Sequence, residues 1–211
     1  MKADTGSLPG AAPARRSQKE ATRQRVLAAA RELFDTHGYQ GTTVREIARH
    51  ADVAVGSVFT TFASKGEILS EVMQARLDPL YAELDRAMPH MRGSTADRLK
   101  TMFAIHFEFE ARHVRLFLSH IAAAYDWTLP PTARPYGRTP RLQEIIRETL
   151  QKGVAEGDVR PDADHQEVID LLMAAYAWTY RLVIRKEADA AALIAAMDRQ
   201  IDLIAQGFGP R

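Results

Sequence analysis

The stretch TTVREIARHADVAVGSVFTTFASK, residues 42–65, has the pattern of two short helices that cross at a tight turn. Such a pair needs apolar inner faces, a small residue at the closest approach and a turn that accepts unusual backbone angles. Ala48 is the small residue, and Asp52 in the turn is of a type that adopts left-handed angles at modest cost. The apolar contacts would come from Ile47, Ala51, Val53 and Val58. The pattern therefore predicts a helix-turn-helix.

The exposed face of the second helix in this pair would carry small side chains. They would let the helix approach base edges in a DNA major groove, with hydroxyls forming hydrogen bonds and methyl groups meeting thymine methyls. Thr43 and Lys65, each at the start of a helix, would hold phosphates, and specificity would draw on Arg45, on DNA shape or on the N-terminal arm. The predicted partner is double-stranded DNA, and the predicted DNA-binding residues are Thr42, Thr43, Val44, Arg45, Ala54, Val55, Gly56, Ser57, Phe59, Thr60, Thr61 and Lys65.

Helical periodicity continues on both sides of this motif. The preceding helix would end near Gly38, and Thr43 with Glu46 three residues later forms a capping-box pattern. Ser64 would cap a long helix that Pro79 should kink or divide. Further helices are predicted over 54–62, 95–111, 113–125, 140–156, 164–186 and 189–206. Because no strand pattern is visible, the sequence predicts an all-α fold of about nine helices.

The composition is that of a globular protein without cysteine. The 211 residues are 46% hydrophobic, which is enough for a core, and the lack of cysteine excludes disulfide scaffolds and thiolate metal sites. Residues 1–65 carry 10 Lys and Arg against 6 Asp and Glu, and the remaining residues carry 18 against 21. A basic front and a slightly acidic remainder fit a DNA-binding N-terminal part.

Three regions follow from these patterns. Residues 1–17 are rich in Pro, Gly, Ala and Ser and are predicted to be a disordered basic arm. Residues 18–65 would form the DNA-binding domain, and residues 66–211 would form a larger helical domain. Since neither an export signal nor an apolar segment of membrane-spanning length is visible, we expect a cytoplasmic protein with no membrane partner.

The stretch from Thr22 to Leu69 resembles the DNA-binding domain of the TetR family of repressors. The resemblance rests on a first helix that ends near Gly38, then on T-T-V-R-E-I-A, and then on G-S-V-F-x-x-F-x-S-K-x-E-I-L. Three positions depart from the Ser, Lys and Tyr that the family often has, and these are Ala54, Val55 and Phe59. The departures affect individual DNA contacts and leave the overall pattern intact.

The resemblance implies a repressor whose C-terminal domain binds a small organic effector and forms a homodimer. In the family, the last two long helices of each subunit usually pack into a four-helix bundle. The helix predicted over 164–186 is apolar on all sides and the one over 189–206 has a narrow apolar stripe, which suits such a bundle. A homodimer would bind a palindromic or pseudopalindromic operator, and no cofactor is expected.

Aromatic and imidazole residues gather in the middle of the larger domain and would suit an effector pocket. The predicted pocket residues are Phe103, His106, Phe109, Glu110, His113, Phe117, His120, Tyr125, Trp127 and Trp178. The same aromatic group also contains Phe107, Tyr176 and Tyr180. Because aromatic residues at helical spacing are often ordinary core residues, simple packing is the alternative for each of them.

His106, Glu110 and His113 share one face of a predicted helix, so adjacent members could ligate a metal. The two histidines are two turns apart, about 10.5 Å along the axis, which is too far for one ion unless the helix breaks between them. We therefore predict no metal site. A His–Glu pair that orients a polar ligand, or one that is satisfied within the core, is favoured.

Two other classes of function remain open from the sequence. A DNA-binding regulator without an effector would show the same first 65 residues. A helical enzyme has little support, because the sequence contains no cysteine and no nucleophile-elbow, P-loop, dinucleotide-binding or H-E-x-x-H pattern. No catalytic residue is predicted.

Overall fold

The computed structural model describes residues 11–124, 140–184 and 189–209. These residues form helices joined by turns, without a strand, which confirms the predicted all-α class. They divide into two compact units, residues 1–72 and 73–211, whereas the sequence placed the boundary at residue 65. Within the described ranges, none of the helices has both the length and the apolar character needed to cross a bilayer.

The first unit contains the helix-turn-helix. Helix α1 spans Ala11–Gly41, α2 spans Val44–His50, α3 spans Val55–Thr61, and α4 begins in this unit and spans Lys65–Ala87. Helix α1 packs against both α2 and α3, which also contact each other. Apolar residues at helical spacing form the core between them, including Val26, Ala30, Leu33, Phe34, Ile47, Ala48, Val58 and Phe62. The buried set agrees with the predicted inner faces of the motif at Ile47, Ala51 and Val58, whereas Val53 is half-buried.

Local sequence signals set the helix ends in this unit. Asp52 lies in the turn between α2 and α3 with φ of +51°, in the left-handed region, and its carbonyl accepts a hydrogen bond from Arg25 at 3.3 Å. Gly38 has φ of +75° and interrupts the regular geometry of α1. Thr43 and Glu46 form the capping box that the sequence predicts. The Asp52 turn and the capping box confirm the predicted ends of α2, whereas Gly38, predicted to end the first helix, is a kink within α1, which continues to Gly41.

The second unit consists of the rest of α4 and the helices that follow a short 3₁₀ turn at Met88–His90. These are α5 Thr95–Glu110, α6 Val114–Ala124, α7 Pro140–Glu156, α8 His165–Thr179, α9 Arg181–Ile184 and α10 Ala190–Phe208. Helices α7 and α10 each pack against both α5 and α8. Because α5 and α8 are each covered by two neighbours, several sides of both helices carry buried residues.

The start of α5 approaches the end of α7 at Gly153. A carboxylate fastens the two helices, because Asp158 accepts hydrogen bonds from the Thr95 amide at 2.5 Å and the Thr95 hydroxyl at 2.8 Å. The buried Arg98 donates to the Thr95 hydroxyl at 3.0 Å and to Glu156 at 2.6 Å. The absence of a side chain at Gly153 makes room for this network.

Three features differ from the sequence prediction. Residues 11–17 of the predicted arm are helical, because the Ala, Arg, Gln and Lys residues that follow are good helix formers that extend α1; the first ten residues lie outside the described residues. Pro79 does not divide α4, since buried residues on both sides of it hold the helix in place. The helix predicted over 164–186 is interrupted by a tight turn in which the Tyr180 amide donates to the Ala177 carbonyl.

Candidate DNA interface and effector site

Helix α3 presents a face of small and apolar side chains. Val55 is 37% exposed and Phe59 is 57% exposed, although both are hydrophobic. The other predicted residues of this segment are either exposed, namely Ala54, Gly56 and Thr60, or half-buried, namely Ser57 and Thr61. On α2, Arg45 is exposed and Val44 is half-buried. This face would therefore meet DNA mainly with apolar and hydroxyl groups.

Two of the predicted DNA-binding threonines are engaged within the first unit. Thr42 is buried, and its hydroxyl lies 2.8 Å from the Gly38 carbonyl and 3.2 Å from the Leu33 carbonyl. Thr43 donates its amide and its hydroxyl to the Glu46 carboxylate, at 2.7 and 2.8 Å, and these bonds lower the pKa of Glu46. Thr42 is thus a core residue here, and Thr43 has a carboxylate beside it that would repel a phosphate.

Lys65 stabilises the segment that connects α1 to α2. Its ammonium donates to the Tyr39 carbonyl at 2.8 Å and to the Thr42 carbonyl at 2.9 Å, and it lies 4.1 Å from the centroid of the Tyr39 ring. Partial burial lowers the pKa of Lys65. Because an ammonium has three N–H groups, one remains for a phosphate, and the predicted phosphate contact stays a prediction.

Replacing Lys65 with methionine should therefore destabilise the first unit even without DNA. Two carbonyls lose a charged donor, so we expect the free energy of unfolding to fall by about 1–3 kcal/mol in urea denaturation of the full chain. Arg45→Met, which removes an exposed cation, is the matched control and should change it by less than about 0.5 kcal/mol. Equal stability of the two variants would contradict the stabilising role of Lys65.

In the second unit, a buried polar cluster joins α5 to α8. The Glu110 carboxylate accepts hydrogen bonds from the Tyr176 hydroxyl at 2.5 Å and from the Tyr180 hydroxyl. His106 Nδ1 lies 3.4 Å from Glu110, and the Phe107 ring centroid lies 5.6 Å from that of each tyrosine. The sequence placed Tyr176 and Tyr180 only in the wider aromatic group, and the structure makes them the main partners of Glu110.

The remaining predicted pocket residues do not share one environment. Those that are buried are Phe103, Phe117 and His120. Those that are not are Phe109, which is half-buried, and His113 and Trp178, which are exposed. Tyr125 and Trp127 lie outside the described residues. The described ranges hold no group of three or more side chains placed to bind a metal ion.

His120 should make the stability of the second unit depend on pH. Burial, with a smaller contribution from the charge of His106, lowers the pKa of His120 from 6.5 to about 4. As the pH falls, the imidazole of His120 takes up a proton in the unfolded chain before it does so in the folded chain. The stability that depends on a neutral His120 is therefore complete above pH 6.5 and is lost between pH 6.5 and 4. Over this window the free energy of unfolding falls by about 3 kcal/mol.

Urea denaturation at several pH values, with His120→Asn beside the wild type, measures this loss. The substitution removes the titrating group, so the stability of the variant should fall less steeply between pH 6.5 and 4. Carboxylates titrate in both proteins, and the difference between the two curves isolates His120. His90→Asn, at an exposed histidine, is the control and should follow the wild type. Parallel curves for all three proteins would contradict the prediction.

Two cavities in the second unit lie near the start of α5. The first has a volume of about 190 Å³ and is lined by residues of α4, α5 and α7, including Asp85, Arg98 and Arg141. The second, of about 590 Å³, is lined by the 3₁₀ turn together with Arg98, Lys152 and Glu156. None of the predicted pocket residues that the structure describes lines either cavity, so the predicted pocket stays a prediction.

Comparison with known sequences identifies similar transcription regulators. The family described as bacterial regulatory proteins, tetR family, matches residues 26–72. The chain is 31% identical over 154 residues to the transcriptional repressor KstR2 of Mycolicibacterium smegmatis, and the aligned residues cover 72% of this chain and 75% of that protein. It is 43% identical over 153 residues to the transcriptional regulator SrpR of Pseudomonas putida, and the aligned residues cover 72% of this chain and 70% of that protein.

A similar structure is that of FadR from Thermus thermophilus, a TetR-family repressor crystallised in complex with lauroyl-CoA. It superposes with a TM-score of 0.72 over 90% of this chain and 96% of FadR, at 25% sequence identity. The sequence match of residues 26–72 contains α2, the Asp52 turn and α3. From the helix-turn-helix geometry and these similarities together, we conclude that the chain belongs to the TetR family of bacterial transcription regulators.

Proposed function

We propose that this protein is a transcriptional repressor that binds a palindromic or pseudopalindromic operator as a homodimer in the bacterial cytoplasm. The observation that carries the proposal is the α2–turn–α3 geometry, which leaves Val55, Phe59 and Thr60 of α3 exposed. The basic N-terminal part and the similarity to named repressors support it. In an electrophoretic mobility shift with DNA flanking the protein's own gene, we expect a specific complex that weakens with salt. The absence of such a complex would contradict the proposal.

The proposed subunit interface is an exposed apolar surface on α8 and α10. Leu171 is 47% exposed and Trp178 is 64% exposed, and both lie on one face of α8 because they are two turns apart. On α10, which packs against α8, Leu203 is 67% exposed. Exposed apolar residues grouped in this way favour association, and two copies of one surface form a closed dimer.

Trp178→Glu should convert the dimer into a monomer, because it places a charge within this apolar surface. A monomer contacts one half-site, so we expect the affinity for a two-half-site operator to fall at least tenfold. Light scattering coupled to size-exclusion chromatography gives the mass, and fluorescence anisotropy gives the affinity. Trp178→Phe keeps an apolar ring and is the control. A Trp178→Glu variant that stays dimeric and binds DNA normally would contradict the proposed interface.

The proposed effector is an organic molecule with a long apolar part and a polar head, of which an acyl thioester of coenzyme A is one example. The FadR structure with lauroyl-CoA supports this class. The buried cluster around Glu110 supplies polar groups in apolar surroundings, and His106 Nε2 is buried without a hydrogen-bond partner among the described residues. Such a group would bind the polar head, since buried polar atoms in folded proteins usually have a partner.

Titration of lauroyl-CoA into the protein–DNA complex tests the effector class. We expect release of the DNA by the wild type, and we expect His106→Phe to bind DNA normally with a weaker response. Free lauric acid and coenzyme A, added separately, show which part of lauroyl-CoA the protein recognises. If none of these compounds releases the DNA, the acyl-thioester class is contradicted and a regulator without an effector is favoured.

A further inference from the structure

Helix α3 contains no charged or amide side chain, since its sequence is VGSVFTT. Arginine, lysine, asparagine and glutamine make the bidentate contacts that distinguish guanine and adenine in the major groove. The two large side chains that α3 exposes, Val55 and Phe59, are both hydrophobic. The chemistry that remains for reading a base from this helix is therefore apolar contact and hydroxyl hydrogen bonding.

The threonine hydroxyls of α3 are already used within the helix. Thr60 donates to the Ser57 carbonyl at 3.0 Å, and Thr61 donates to the same carbonyl at 2.8 Å. A threonine hydroxyl has one proton, so neither residue can donate to a base while these bonds persist. Thr60 is nevertheless exposed, and its methyl group is left for contact. Beside the hydroxyl of the half-buried Ser57, α3 thus offers mainly methyl and ring carbons to DNA.

From this surface we infer that operator recognition depends on the 5-methyl groups of thymines, which Val55, Phe59 and Thr60 contact in the major groove. The inference rests on the DNA-binding function proposed above and names the chemical group that is read. Thymine is the one standard base with an apolar group on its major-groove edge. Burying that methyl against apolar side chains removes it from water, and this is a favourable contribution that a surface without charged or amide groups can make.

Uracil-substituted DNA tests the inference directly, because uracil keeps every hydrogen-bonding group of thymine and lacks only the methyl. The probe is a duplex selected by the full-length protein from a random-sequence library. Each thymine is then replaced singly by uracil, and the affinity is measured by fluorescence anisotropy. At one or more thymines in each half-site, we expect the affinity to fall about fourfold, and about sixteenfold when both symmetric positions are replaced.

Variants of α3 show which side chain contacts the methyl group of a given thymine. Val55→Ala, Phe59→Ala or Thr60→Ser should each reduce the uracil penalty at the thymine that the original side chain contacts, because the shorter side chain makes less contact with the thymine methyl. Thr60→Ser keeps the hydroxyl, and its matched control Thr60→Val keeps the methyl group and should retain the penalty. All three positions are exposed, so the variants are expected to fold like the wild type.

The outcomes separate this inference from the proposed function. Selection of a specific duplex that tolerates uracil at every position would overturn thymine-methyl recognition and leave DNA binding intact. Uracil penalties that persist unchanged in every α3 variant would also overturn it, because they would arise from the DNA itself. If the wild type selects no sequence from the library, the proposed DNA-binding function fails, and this inference fails with it.

Discussion

Replacing Gly153 with alanine is expected to lower the free energy of unfolding of the second unit by about 3 kcal/mol. A Cβ atom at this position would overlap the Thr95 hydroxyl and would lie 2.5 Å from a Val159 methyl and 2.8 Å from the Asp158 carboxylate. These neighbours cannot simply move aside, because Thr95 is held by Asp158 and by Arg98. The new methyl must therefore separate α5 from α7 or break the hydrogen bonds that join them.

Gly207→Ala is the matched control for this substitution. Gly207 also lies in a helix, and a Cβ atom there would meet nothing within 4 Å. Since alanine favours a helix more than glycine does, this variant should be as stable as the wild type or more stable by up to about 1 kcal/mol. Urea denaturation of both variants gives the comparison. Equal effects of the two substitutions would contradict the close approach at Gly153.

Glu110→Ala should have a similarly large effect, lowering the free energy of unfolding by about 3–5 kcal/mol. The substitution leaves the hydroxyls of Tyr176 and Tyr180 buried without the acceptor that each now has. It also opens a cavity between α5 and α8, which adds to the loss. Glu110→Gln should recover much of the stability, because its amide can still pair with both hydroxyls.

Glu108 provides the control for this second prediction. It lies in the same helix and is exposed, so Glu108→Ala should change the free energy of unfolding by less than about 0.5 kcal/mol. Thermal and urea denaturation measure both variants. A Glu110→Ala protein as stable as Glu108→Ala would show that the buried carboxylate contributes little, and the cluster would then be a poor candidate for an anchoring site.

Much of the fold follows from short-range signals in the sequence. The capping box of Thr43 and Glu46, the left-handed Asp52 and the start of α7 at Pro140 depend on residues a few positions apart, and the structure agrees with each of them. Gly153 carries no comparable signal. Its importance comes from Thr95, a residue far away in sequence, which only the folded unit brings close.

The functional surfaces were predicted less completely, for a related physical reason. A side chain such as Lys65 has several possible partners, and its choice of the Tyr39 and Thr42 carbonyls depends on how three segments meet. The sequence likewise shows that Trp178 is apolar without showing that this side chain is 64% exposed among the described residues. Periodicity marks apolar faces, and tertiary packing decides which of them remain exposed.

In each subunit, α3 is expected to read one half-site of a symmetric operator. Footprinting of the purified full-length protein on the DNA flanking its own gene tests this most directly. We predict protection of two related half-sites on one side of the duplex, with centres about 34–36 Å apart or a multiple of that spacing, and loss of protection as salt is raised. Uniform protection that is independent of sequence, or no protection at low salt, would contradict the account.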